Sequence, residues 1–223
     1  MLKTRFLTAV FMGFPALALL IWGSREMVLG ILTLVFAVGA YEWARMMPLV
    51  GWRKYLYTAA LLAAMLGGWM ALEVPVQALI SGSLAQDLQT GVFWRLQLVL
   101  PSLWWVVALF WILRYPKGLE TGSDRVELKA PVGFVILVPA FWALNVLHTL
   151  HPMWLIMVLV TIFSGDVGAY FAGKTFGKHK LAPNVSPGKS VEGAIGGVVC
   201  AALVGGAFGY FWLNLPLATL AQF

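Results

Sequence analysis

Seven apolar runs dominate this chain, at about residues 6–22, 27–44, 55–72, 94–113, 131–147, 153–172 and 193–213. Each approaches the roughly 20 residues that a helix needs to cross about 30 Å of hydrocarbon. In lipid every backbone N–H and C=O must be satisfied within the segment, so runs of this kind fold as helices. They predict an all-α polytopic membrane protein, a single domain over residues 1–223 with about seven transmembrane helices. Hydrophobic residues make up 61% of the chain, against roughly 45–50% in a soluble domain, and that excludes an ordinary soluble fold. The first run follows Lys3 and Arg5, but no A-x-A pattern comes after it. It reads as an uncleaved first helix, not as a signal peptide.

The net charge of +6 raises nucleic acid as a partner, and the placement of the charges argues against it. With the N-terminus cytoplasmic, 13 of the 15 basic residues fall in cytoplasmic segments, leaving Arg25 and Arg95 outside. The positive-inside bias explains that distribution and puts the segment from Lys174 to Lys189 in the cytoplasm. The same lysines attract anionic lipid head groups, by roughly 1 kcal/mol each near the surface. Glu73 to Thr90 reads as an outer loop, with or without a surface helix, and Pro116 to Lys129 as a charged cytoplasmic loop. His148 and His151 lack a nearby Cys or acidic partner, so they read as interfacial histidines, not as a zinc site. The single cysteine, Cys200, permits no internal disulfide.

Charge is scarce, at 11% of residues, yet it concentrates between Ser164 and Gly197. Gly165, Ala169, Gly173 and Gly177 recur every four residues, as do Asp166, Tyr170, Lys174 and Lys178 beside them. Spacing of four keeps side chains on one helix face. The first stripe predicts close packing on another helix, and the second predicts a polar face leading to the lysines. Asp166 lies within an apolar span, where a carboxylate costs several kcal/mol unless paired or hydrated. It reads as a metal ligand or acid–base group, or else as an ion pair with Lys174 or an interfacial residue in water. Glu42 is a weaker candidate of the same kind.

Beyond Asp166, Lys178, Lys180 and Lys189 with Ser186, Gly188 and Ser190 form a basic loop suited to a polyphosphate. Ser190 is placed to cap a seventh helix starting near Val191, whose N-terminus would offer N–H groups to an anion. Gly188 would allow close backbone approach. The alternative is a positive-inside loop that only anchors to lipid head groups. Pro187-Gly188-Lys189-Ser190 resembles the end of a P-loop, but position 183 is proline where that motif needs glycine, so a Walker A site is rejected. Gly193, Gly197, Ala201, Gly205 and Gly209 predict a second packing face.

These residues carry a resemblance. Asp166, Ala169 and Tyr170, then Gly173, Lys174, Gly177, Lys178, His179, Lys180 and Leu181, then Ser186, Pro187, Lys189, Ser190, Glu192 and Gly193 look like the central region of the phosphatidate cytidylyltransferase (CDP-diacylglycerol synthase) family. Weaker echoes are the Met-Leu-Lys-x-Arg opening, Glu42-Trp43 and Val138-Pro139. The resemblance implies a multi-pass protein of the bacterial inner membrane that joins CTP to phosphatidic acid, with Mg²⁺, giving CDP-diacylglycerol and pyrophosphate. It implies that Lys174, Lys178, Lys180, Ser186, Gly188, Lys189 and Ser190 bind the CTP phosphates. It makes Asp166 and Lys189 catalytic, and Asp166 a metal ligand. The family's C-terminal Lys-Arg-x(4)-Lys-Asp and His-Gly-Gly-x-x-Asp-Arg-x-Asp stretches have no counterpart before Phe223. The expectation is a truncated synthase that lacks full activity, its other metal ligands lying in the missing part. The expected partners are CTP, phosphatidic acid, membrane lipid and a second copy of the chain, with no nucleic acid. Two other functions fit the residues less well. They are a CTP-dependent polyprenol or lipid kinase, and a transporter using Asp166, which would need midplane polar residues and an internal repeat.

Overall fold

The computed structural model describes residues 13–80, 87–115 and 125–212. They form seven helices and one short hairpin: α1 (Gly13–Trp22), α2 (Arg25–Arg45), α3 (Arg53–Ile80), α4 (Asp87–Arg114), α5 (Val126–Leu150), α6 (Pro152–Phe176), β1 (Lys180–Ala182), β2 (Ser186–Ser190) and α7 (Val191–Trp212). Among the described residues α2, α5, α6 and α7 are long and apolar enough to cross a membrane. The 25 residues of α6 span about 37 Å at 1.5 Å per residue, more than the roughly 30 Å of a hydrocarbon core. Shorter apolar stretches are α1 and Val99–Ile112 within α4. Large apolar side chains face outward, among them Leu34, Trp105, Phe171 and Val198. Such faces on helices apolar all round suit lipid, not water.

Two expectations about the helices are corrected. Glu73 to Thr90 is not a loop throughout, because α3 continues to Ile80 and α4 starts at Asp87. Likewise α5 begins at Val126 and carries Pro131 and Pro139 in its interior, so Lys129 is helical. Prolines within such a helix are tolerated because neighbouring helices satisfy the freed backbone groups.

The chain forms two compact units, Ser24–Leu150 and a second made of Met1–Gly23 with His151–Phe223. In the first, α2, α3 and α5 meet at Ala40, Leu61, Met65, Trp69, Val138, Phe141 and Trp142. Phe36 meets Phe141 edge to face at 5.4 Å. The Trp142 indole donates to the Met65 carbonyl at 2.7 Å, and only a glycine at position 68 leaves room for its ring. Trp43 and Tyr57 donate to the Lys129 and Ala130 carbonyls at 3.0 and 2.7 Å, tying α2 and α3 to the start of α5. Gly51, at φ +61°, makes the turn into α3.

The second unit is built on α6 and α7. His151 caps α6, its Nδ1 accepting from the Met153 N–H at 3.2 Å, and Pro152 fills the first helical position, where its missing donor is harmless. The two helices then pack glycine on glycine. A Cβ on Gly197 would lie 3.0 Å from the Gly165 carbonyl, and one on Gly193 3.0 Å from the Ala169 carbonyl. Both four-residue small faces are thus interfacial, and they are wider than the sequence reading had them. Gly168 faces Cys200, and Gly196 faces Ala172.

Candidate functional site

The connection from α6 to α7 is ordered as a hairpin, not an open loop. Ala182-Pro183-Asn184-Val185 makes the turn, with the Val185 N–H donating to the Ala182 carbonyl at 3.1 Å. Proline in the second position and asparagine in the third suit such a turn, a signal the sequence reading passed over. β1 and β2 pair antiparallel, Lys180 opposite Ser190 and Ala182 opposite Ser186, with an irregularity between. Both feet are anchored. The Val191 N–H donates to the His179 carbonyl at 2.9 Å, and the Lys180 ammonium donates to the Pro187 carbonyl at 2.7 Å.

Ser190 does cap α7, which starts at Val191 as expected. Its Oγ accepts from the Gly193 N–H at 3.2 Å. It is also buried in a nook of three glycines, for a Cβ on Gly173, Gly177 or Gly193 would lie 3.1, 2.8 or 3.1 Å from that oxygen. Its oxygen thereby helps to hold the hairpin in the crotch of the two helices. At the α7 N-terminus, expected as an anion site, two of the N–H groups have partners within the chain. The Val191 and Gly193 N–H groups are already bonded, because the chain folds back on its own helix start and satisfies them internally.

The polar stripe of α6 is shorter than its spacing suggested. The helix ends at Phe176, and Gly177 caps it in an extended conformation, its N–H on the Gly173 carbonyl at 3.1 Å. Lys178 therefore lies beyond the helical face of Asp166, Tyr170 and Lys174. The Lys174 ammonium sits over the Tyr170 ring at 5.7 Å, a contact worth roughly 0.5–1 kcal/mol at an exposed site. Asp166 is exposed on the flank of α6 and makes no ion pair with Lys174 or any other described residue. About 12 Å of helix rise separates it from Lys174. Glu42 pairs with Arg45 at 2.9 Å on an exposed surface, which gives it an ordinary partner.

The hairpin gathers Lys178, Lys180, Ser186, Gly188 and Lys189. Lys178 and Lys189 are exposed, and their ammonium groups have no partner among the described residues. Nothing lies within 4 Å of a Cβ placed on Gly188, so the chain's own packing does not require glycine there. Sequence reasoning gave Glu192 no role. Its carboxylate accepts from the backbone N–H groups of Lys178 at 3.1 Å and His179 at 3.2 Å, and meets His179 Nδ1 at 2.6 Å. As for a metal, no group of three or more His, Cys, Asp or Glu is placed to hold one among the described residues. Asp166 alone does not complete a Mg²⁺ site, which takes a near-octahedral oxygen set. His148 is buried within α5, and His151 caps α6.

A protein-family model described as the cytidylyltransferase family matches residues 3–222. The phosphatidate cytidylyltransferase of Pseudomonas aeruginosa is 36% identical over 166 residues, 74% of this chain and 54% of that protein. The phosphatidate cytidylyltransferase of Haemophilus influenzae is 38% identical over 119 residues, 50% of this chain and 41% of that protein. That of Aquifex aeolicus is 35% identical over 92 residues, 40% and 33% of the two chains. The chain spans about half the length of the first of these relatives and less of the others. No solved structure matches.

Proposed function

This chain belongs to the cytidylyltransferase family, and from that premise we propose that it serves the transfer of CMP from CTP to phosphatidic acid, giving CDP-diacylglycerol and pyrophosphate. The observation that carries the proposal is the hairpin between α6 and α7. It holds Lys178, Lys180 and Lys189 together at the ends of two helices long enough to cross a membrane. A water-soluble triphosphate and a membrane lipid can meet only at such a boundary.

The chemistry asks for positioning and charge more than for covalent help from the protein. A phosphate oxygen of phosphatidate attacks the α-phosphorus of CTP, the α–β phosphoanhydride bond breaks, and pyrophosphate leaves with the electron pair. Lys178 and Lys189 hold the triphosphate and offset the charge that grows on the leaving group. Lys180, tied to the Pro187 carbonyl, stiffens the hairpin and adds its charge, and Lys174 adds charge from the last turn of α6. Ser186 and Gly188 bring hydroxyl and backbone to the phosphates, while Ser190 acts from below as the cap. Mg²⁺ is proposed as cofactor with Asp166 as its one ligand among the described residues.

The same proposal places seven crossings in the bacterial inner membrane, with the N-terminus and the hairpin cytoplasmic. The support is the lysine and arginine bias. Its partners are CTP, phosphatidate, the surrounding lipid and a second copy of the chain, with no nucleic acid. Light scattering of the detergent-solubilised chain reads the last assembly. The function is tested with the purified chain in phosphatidate micelles, using CTP labelled at either the α- or the γ-phosphate. Label from the α-phosphate in the lipid, with pyrophosphate released, is expected. Label from the γ-phosphate in the lipid overturns it.

A further inference from the structure

Between Asp166 and the end of α7, Glu192 is the only acidic residue, and it stands among four lysines. Simple charge attraction would set it against an ammonium group. Instead its carboxylate meets His179 Nδ1 at 2.6 Å and takes the two backbone N–H groups beside it, at 3.1 and 3.2 Å. Three consequences follow. Lys178 and Lys189 keep their ammonium groups free. The first foot of the hairpin is bolted to the first turn of α7. The imidazole is held by one edge only, for the Glu192 side chain is 24% exposed and that of His179 is 80% exposed.

An imidazole whose Nδ1–H donates to a carboxylate has a fixed tautomer and ring direction. Its Nε2 is then the only ring nitrogen left to act. In the doubly protonated ring both nitrogens donate, Nδ1 to Glu192 and Nε2 to an acceptor outside the chain. That outward edge lies between Lys178 and Lys180 in sequence, on the segment where the free lysine charge is concentrated. An acceptor that suits a donor there is a phosphate oxygen.

We propose that His179 is a phosphate-contacting residue of the nucleotide site, and that Glu192 is the positioning residue that aims its Nε2. The inference rests on the nucleotide reading of the hairpin and extends it to two residues outside the lysine set. The discriminating substitutions are the two amides. His179→Asn places an N–H near Nδ1, so it keeps the bond to Glu192 and loses Nε2. His179→Gln reaches the Nε2 position and loses the bond to Glu192.

The experiment measures displacement of labelled CTP by inorganic pyrophosphate on the purified full chain in detergent, with melting temperature recorded in parallel. His179→Asn should melt as the wild type does and bind pyrophosphate about 10-fold or more weakly, the loss of one charge-assisted hydrogen bond. His179→Gln should melt earlier yet keep more affinity than His179→Ala. Glu192→Gln should weaken pyrophosphate binding less than His179→Asn does. Wild-type affinity in His179→Asn overturns the proposal and makes His179 a clasp only. The nucleotide reading survives that result if Lys189→Ala still loses binding. If His179→Asn melts early, His179→Gln decides: retained affinity supports contact through Nε2, and affinity no better than that of His179→Ala overturns it. Failure of the wild-type chain to bind CTP overturns both readings.

Discussion

The α2–α3–α5 bundle and the α6–α7 pair solve the same problem with opposite materials. In the bundle, large side chains interlock around Phe141, Leu61 and Met65, all fully buried. In the pair, glycines bring backbone against backbone, and the nearest neighbour of Gly193 or Gly197 is a carbonyl oxygen. A side-chain interface relaxes only partly when volume is removed and is left with a cavity, while a backbone interface has nothing to rotate when volume is added. The bundle should therefore suffer from loss of volume and the pair from gain. The pair also carries the basic hairpin on its ends, so its precision passes directly to the lysines.

The sharpest way to break this contrast is Gly196→Leu. Its Cβ would overlap Ala172 and press the Gly168 carbonyl at 3.2 Å, so the helices must separate. Loss of the folded chain in detergent melting, and of CTP binding with it, is expected. Gly206→Leu on the same helix is the control, because nothing lies within 4 Å of a Cβ there, and it should fold. Next in size is Phe141→Ala, which should cost about 3–5 kcal/mol by emptying the bundle core, seen as a lower melting temperature. It should leave the affinity of the folded fraction for CTP unchanged. A fall in affinity would mean that the two units are not independent in function.

Lys189→Ala tests the hairpin without touching either interface. Removing a free ammonium should weaken CTP binding by about 10–100-fold, more at low ionic strength, with no shift in melting. Ser190→Ala should cost about 1 kcal/mol through loss of the helix cap, and Ser190→Gly less, read as melting temperature. Glu42→Gln removes an exposed i, i+3 pair and should change nothing measurable in stability or CTP binding. A marked loss of activity there would return Glu42 to the site.

Much of this was legible along the chain. The apolar runs announced the helices, because a membrane span needs length and composition more than particular partners. The glycine spacing announced the α6–α7 faces, because a period of four survives any rigid helix. Boundaries were less legible: Lys129 inside α5 and Glu73 inside α3 looked like loop residues, since the neighbours that make them tolerable are distant in sequence. The site was half legible. Counting placed the lysines together, but it left Ser190 and Lys178 with the wrong surroundings and passed over Glu192.

The sequence by itself determined that this chain builds apolar helices, that two of them pair through glycine, and that its positive charge gathers between those two. Each of these depends on composition or on the helical period, which are local properties. Only the tertiary structure decided that the lysine segment is a hairpin, that Ser190 faces inward among three glycines, and that Glu192 bonds His179 instead of a lysine. Those outcomes depend on which groups meet once α6 and α7 lie side by side. A buried hydroxyl and a carboxylate are claimed by the donors within reach, and reach is set by the fold.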